Sequence, residues 1–238
     1  MRVTLLLDAA TFALLALAVA FVRARRPPAP VVTDARSEGA WEGFALLWRS
    51  PLLRIAVITS AVAIGCAVVD NVAAPFRFLD QLGAGDVGYG LYLSVWGIGA
   101  LLGVQLPPRI PVARHLPTLA SGILLTGLGI LLIGLAPNFG FALVASAIGG
   151  FGNGLENVVQ NSLVAHHTPA DRHGRAFAAL GATMQTAIGV GTAAAAPLVA
   201  AVGANYAMVA AGGLAAAVAV YALARSVSRL RAPAEAAS

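Results

Sequence analysis

What most limits this chain is the recurrence of apolar runs of about 20 residues, each long enough at 1.5 Å per residue to cross a hydrocarbon layer of roughly 30 Å. They fall at 4–22, 52–76, 88–107, 117–136, 139–163, 175–200 and 205–224 of the 238 residues. In hydrocarbon every backbone N–H and C=O has to be satisfied inside the fold, so only helices or a closed barrel are open to such a chain. None of the runs alternates polar with apolar residues over about ten positions, as a barrel strand would. The expectation is an all-α polytopic transmembrane helix bundle of about seven spans. Composition agrees: 59% of residues are hydrophobic and 11% charged, whereas a soluble domain is about a quarter charged. Mean hydropathy is +0.83.

The run ends carry helix stops. Arg23, Arg25, Arg26, Pro27 and Pro28 follow the first run, Pro107 and Pro108 the third, and Pro137 and Asn138 separate the fourth from the fifth. Proline cannot continue a helix, because it lacks the N–H and clashes with the preceding turn. Orientation follows from the arginines, since short basic loops stay on the cytoplasmic side. Arg23, Arg25, Arg26, Arg36, Arg49 and Arg54 lie in the first connection, Arg109 and Arg114 in the third, Arg172 and Arg175 in the fifth, and Arg225, Arg229 and Arg231 in the tail. The alternate loops, 77–87, 137–138 and 201–204, contribute only Arg77. This places the N-terminus outside and the C-terminus in the cytoplasm of a multi-pass plasma-membrane protein. The pI near 10.3 is explained by that bias, so no nucleic-acid partner is expected.

One cytoplasmic loop stands out. HHTPADRHGRAFA, residues 166–178, holds Pro169, Gly174, Arg175 and Phe177 at the spacing P-x-x-x-x-G-R-x-F. Here the chain resembles the major facilitator superfamily, and more closely its drug and siderophore exporter branches, in which a P-[DE]-x-x-R-G-R-x-[FY] loop joins the tenth and eleventh helices. Ala170 stands where an acidic residue is usual and His173 where an arginine is usual. EGFALLWRSPLLR (42–54) is similar to the amphipathic segment before the seventh helix, GAGDVGYGLYLSVWGIGALLG (83–103) to the eighth-helix entry, and GNGLENVVQNSL (152–163) to the tenth helix. No one of these motifs is decisive; their order and spacing carry the resemblance.

That family is built of two six-helix halves that rock about a site at the bilayer midplane. The resemblance therefore implies that 1–22 corresponds to helix six, 23–51 to the cytoplasmic central loop with its amphipathic segment, 52–224 to the six-helix C-terminal half and 225–238 to a cytoplasmic tail. Met1 then falls within or just before helix six, which points to a truncated gene, a misplaced start or a split transporter. The implied activity is proton-coupled export of a small amphiphilic solute. The implied partners are the lipid bilayer, that solute and a missing N-terminal half. The alternative is a non-transporting membrane interaction protein, or a half that works only with a partner half.

Ionisable groups inside spans cost about 2.5–3.5 kcal/mol at a helix centre, so those present are candidates for a pathway. Asn153, Glu156, Asn157, Gln160 and Asn161 fall at i, i+3, i+4, i+7 and i+8, on one helical face. One reading is a substrate or proton pathway with Glu156 as the titratable member; the other is interhelical hydrogen bonding that only holds the bundle together. Asp70 and Asn71 lie deep in the second run; the resemblance places this helix beside the cavity and so implies Asp70 as the second candidate proton carrier, the other reading being a residue near the outer mouth that stays hydrated. Arg77 is seven residues on, on the same face, within pairing reach of Asp70.

Other chemistries find little support. GIGALLG (97–103) lies in an apolar span with no βαβ context, so Gly99 with Gly103, and Gly150 with Gly154, read as small-xxx-small packing surfaces rather than a dinucleotide fingerprint. His166, His167 and His173 share no ligand spacing with a cysteine, and no metal or cofactor is expected. Cys66 is alone, so no intrachain disulfide forms. The chain contains no lysine, which excludes a retinal Schiff base. It shows no H-E-x-x-H and no convergent nucleophile and base, so no enzyme is expected.

Overall fold

The computed structural model describes residues 2–21, 41–106 and 110–235. Arg23, Arg25, Arg26 and Arg36, the 107–109 stretch with its two prolines and Arg109, and the side chains of Arg229 and Arg231 lie outside the described residues. Two units are distinguished. The first contains one helix, α1 (Arg2–Phe21), whose side chains from Ala9 to Phe21 are all exposed. An apolar helix exposed on every side is one whose surroundings are lipid or other helices.

The second unit is a helical bundle: α2 (Trp41–Arg49), α3 (Pro51–Pro75), α4 (Gly85–Gly103), α5 (His115–Leu135), α6 (Phe139–His167), α7 (His173–Val202) and α8 (Ala204–Glu235). The seven apolar runs correspond to α1 and α3 to α8, and no strand occurs among the described residues. Four segments, Pro51–Gln81, Val112–Leu135, Ala170–Val202 and Ala204–Ser226, are both long and apolar enough to cross a membrane. α4 and α6 fall outside this set; α6 carries the polar face of Asn153, Glu156, Asn157, Gln160 and Asn161.

Local chemistry sets the helix ends. The Ser50 side chain accepts from Leu53 N at 3.4 Å, with Pro51 in the first turn of α3, and Asn138 Oδ1 accepts from Phe141 N at 2.9 Å to start α6. Both satisfy a backbone donor that the helix cannot. Past Pro75, α3 widens into a π-helical turn, Phe76–Gln81. Gly203, at φ +85°, closes α7 and lets α8 turn back beside it, a backbone shape that L side chains rarely adopt.

α5 is central, flanked by α6 and α8; α4 packs on α6, and α3 packs on α7 and α8. α6 and α7 are joined by a short loop yet scarcely touch along their length. In hydrocarbon, packing rather than water expulsion drives association, so small residues at the seams decide which helices meet. The two glycine pairs face one another: side chains on Gly150 and Gly154 would overlap the carbonyls of Trp96 and Ala100, and ones on Gly99 and Gly103 the carbonyls of Ala147 and Phe151. Large side chains that point away from the core, such as Leu101, Val144 and Val220, suit a surface that meets lipid.

Gly150→Leu should therefore separate α4 from α6 and cost more than the roughly 1–3 kcal/mol of ordinary overpacking, whereas Gly97→Ala, with open space around it, should be silent. Thermal unfolding of the two variants in detergent distinguishes these outcomes; equal midpoints would show that the glycine seam is not a packing contact.

Candidate functional site

Glu156 sits on α6 where that helix crosses α5. The crossing is close because of glycine: a side chain on Gly122 would lie 2.9 Å from Glu156 N, and one on Gly152 2.6 Å from Thr126 N. The approach brings Thr126 Oγ1 to 3.4 Å from Glu156 Oε2. The same hydroxyl lies 3.1 Å from Gly122 O and 3.5 Å from Gly149 O. Asn153, one turn earlier on α6, also bonds the carboxyl. A hydroxyl can donate to a carboxylate or accept from a carboxylic acid, so this pocket accommodates either protonation state.

The other members of the polar face divide. Gln160 Nε2 reaches Met184 Sδ on α7 at 3.5 Å, the face's one described contact with that helix. Asn157 and Asn161 are exposed, and their amides turn back to Asn153 O and Asn157 O, each at 2.8 Å. The five side chains share one face as expected; among the described hydrogen bonds Glu156 reaches α5 and Gln160 reaches α7. The two asparagines spend these donors on their own helix.

Asp70 lies near the far end of α3 and is only 6% exposed. Its Oδ2 accepts from Tyr92 Oη of α4. Arg77 is engaged elsewhere: Nε donates to Ile133 O at 3.2 Å, Nη2 to Ala136 O at 2.5 Å and Nη1 to Gln81 Oε1 at 3.0 Å. The spacing that suggested an Asp70–Arg77 pair assumed a continuous α-helix. The π-turn after Pro75 and the last carbonyls at the end of α5, of which Ile133 O also accepts from Ala136 N at 3.2 Å, give the guanidinium better partners, favoured by the negative end of that helix. Asn71, next to Asp70, is exposed.

At the opposite end of the bundle the loop motif folds against α2. Pro169 opens a 3-10 turn, Ala170–Arg172, closed by Arg172 N to Pro169 O at 2.9 Å. Arg172 Nη1 meets Glu42 Oε1 at 2.9 Å, and Arg175 Nη1 meets Glu42 Oε2. The Glu42 side chain is 13% exposed, the arginines 40% and 46%. Gly43 lets α2 approach so near that a side chain there would overlap Arg175 O. His173, standing where the family motif has arginine, places Nε2 3.0 Å from both Ala165 O and Thr168 O and so secures the end of α6. Gly174 has open space about it and is not demanded by packing.

With this geometry in place, comparison with known families is informative. The chain matches the family model of the Major Facilitator Superfamily over residues 112–238, from the turn before α5 to the C-terminus. The chain belongs to the major facilitator superfamily. Comparison with curated proteins and with solved structures found no match. Membership makes this a multi-pass membrane transporter rather than an enzyme, working in a lipid bilayer on a small-molecule substrate. The all-helical second unit is consistent with half of a major facilitator bundle.

Three side chains of the site were invisible from spacing: Thr126, Tyr92 and Glu42. Each acts on a residue of another helix, so only the packing reveals it. For Glu42 a signal did exist, a lone acid in an amphipathic segment of a chain whose arginines cluster at one end.

Glu42→Gln should free α2 from the α6–α7 loop at a cost of about 1 kcal/mol, discounted for the exposed arginines, and the loss should shrink in high salt. Unfolding midpoints of wild type and variant at low and high ionic strength measure this; a cost independent of salt would assign the effect to packing.

Proposed function

We propose that the chain is one half of an exporter that couples the inward movement of a proton to the outward movement of a small amphiphilic solute, in the manner of the drug and siderophore exporter branches it resembles. The observation that carries this reading is the polar face of α6, with Glu156 half-buried against Thr126 and Asn153 while Asn157 and Asn161 remain open. A carboxyl in a span is expensive. One placed between a reversible hydroxyl partner and an open polar strip is placed to take and release a proton. Beside α7 runs a groove of about 710 Å³ bounded by α2 and α3, apolar except for Thr183 and Thr186; such a lining suits the apolar part of a solute.

That this is a half is supported by exposure. Only 6% of the most apolar stretch of Ala170–Val202 is buried, and on the polar strip of α6 Asn157 and Asn161 are exposed among the described residues. The completing six helices would come from further sequence on the same polypeptide or from a second chain. We place the Glu42 end of the bundle, with its basic loops, in the cytoplasm by the positive-inside rule.

Orientation is checked by labelling. With Cys66 replaced by alanine, an impermeant thiol reagent added outside should modify Asn138→Cys and spare His173→Cys; the reverse pattern would invert the assignment. The coupling is checked in vesicles. This chain alone should show no proton-driven efflux, the completed transporter should show it, and Glu156→Gln should reduce it to background while insertion is unchanged. Wild-type efflux by the Glu156→Gln protein, with unaltered pH dependence, would make Glu156 a packing residue.

A further inference from the structure

The seam between α3 and α4 holds a second carboxyl in a setting unlike that of Glu156. Asp70 Oδ2 accepts from Tyr92, but Oδ1 is buried without a hydrogen-bond partner among the described residues. Tyr92 cannot readily turn away, because its ring stacks on Phe78 with centroids 4.3 Å apart and planes inclined by 24°, and Tyr89 and Trp96 close its other sides. No groove described in the bundle is lined by Asp70.

The groups that could hold its charge are few. From α4 only Tyr89 and Tyr92 approach it. Arg77, on the continuation of α3, has its three described donors on Gln81, Ile133 O and Ala136 O. Asp80 and Asp86 are exposed at the end of the bundle. The titratable residues of α5, and those of α7, sit at the Glu42 end, and on α8 Tyr206 is 64% exposed. A carboxylate here would be a buried charge met by one phenol, an arrangement that proteins avoid by neutralising the group or admitting water.

We infer that Asp70 and Tyr92 form a second proton-holding site, separate from Glu156, and that its proton keeps the α3–α4 seam shut. With the proton bound, Asp70 is a neutral acid that Tyr92 and its aromatic neighbours seal. When the proton leaves, Oδ1 carries charge with nothing to meet it, and water relieves this only by parting Tyr92 and Phe78 from α3. Asp70 lies about 28 Å along α3 from its start at the Glu42 end, whereas Glu156 lies about 16 Å along α6 from that end. The two carboxyls thus serve different depths, and protonation at Asp70 governs access at the far end. The use of this seam in transport rests on the function proposed above; proton binding by Asp70 does not.

The test reads the proton and not transport. The full chain in lipid nanodiscs is taken from acid to alkaline pH while infrared difference spectra follow protonated carboxyl groups. One band should vanish in Asp70→Asn and shift in Tyr92→Phe, which keeps the carboxyl, and should persist in Glu156→Gln. A spectrum identical in wild type, Asp70→Asn and Tyr92→Phe would overturn the site. Ala74→Cys, one turn from Asp70 and buried, reports the seam once Cys66 is replaced by alanine. Its maleimide labelling should accelerate on alkalinisation several-fold more than that of Asn138→Cys, and Asp70→Asn should remove the excess. Equal acceleration at the two positions would overturn the seam. Because no export is measured, failure here leaves the Glu156 reading standing, and failure of the Glu156 assay leaves this one standing.

Discussion

The rotation of α6 about its own axis decides what this bundle can do, and glycine fixes that rotation. Gly150 and Gly154 admit the backbone of α4, and Gly152, with Gly122 and Gly129 of α5 facing α6, admits that of α5. In hydrocarbon the gain from such close approach is dispersion and the fit of one backbone to another, since lipid is as apolar as the side chains it would replace. With both seams engaged, α6 has one setting, and in that setting Glu156 meets Thr126 across 3.4 Å. The polar strip and its carboxyl are consequences of small residues elsewhere on the same helix.

The two ends of the bundle are held by different electrostatics. At one end Glu42 gathers Arg172 and Arg175, tying the amphipathic α2 to the loop that joins α6 and α7. At the other, Arg77 takes the last carbonyls of α5 as its acceptors. A cation on the last carbonyls answers the negative end of a helix, and an arginine can serve two of them at once. Between these ends lie two carboxyls without a cation beside them, Glu156 and Asp70, each met by a hydroxyl. Proton exchange is the economical way for such groups to avoid a buried charge.

Much of this was legible in the sequence, and for a physical reason. Span length and apolarity are set by the bilayer, so the seven runs became helices, most with ends within a few residues of those expected, Asn138 and Ser50 capping two of them as their chemistry allows, while α8 runs past the expected 224 to Glu235. The glycine pairs at 99 and 103 and at 150 and 154 were recognisable as packing surfaces, though not as each other's partners. Pairing across helices is where spacing fails. Tyr92 finds Asp70, Thr126 finds Glu156, and Glu42 finds Arg175 through contacts that depend on which helices are neighbours. The π-turn after Pro75 turned Arg77 from the carboxylate that heptad spacing offered it toward α5, a redirection that no count along the sequence would show.

The central claim is that the polar face of α6 lines an aqueous pathway, and periodicity of access along that helix tests it most directly. Single cysteines are placed in turn from 149 to 163 in a Cys66→Ala protein in membranes and exposed to an impermeant thiol reagent. The account predicts reaction at 153, 157, 160 and 161 and silence at 155, 159 and 163, whose native side chains are buried in the core. Silence at every position, or reaction without helical period, would contradict it.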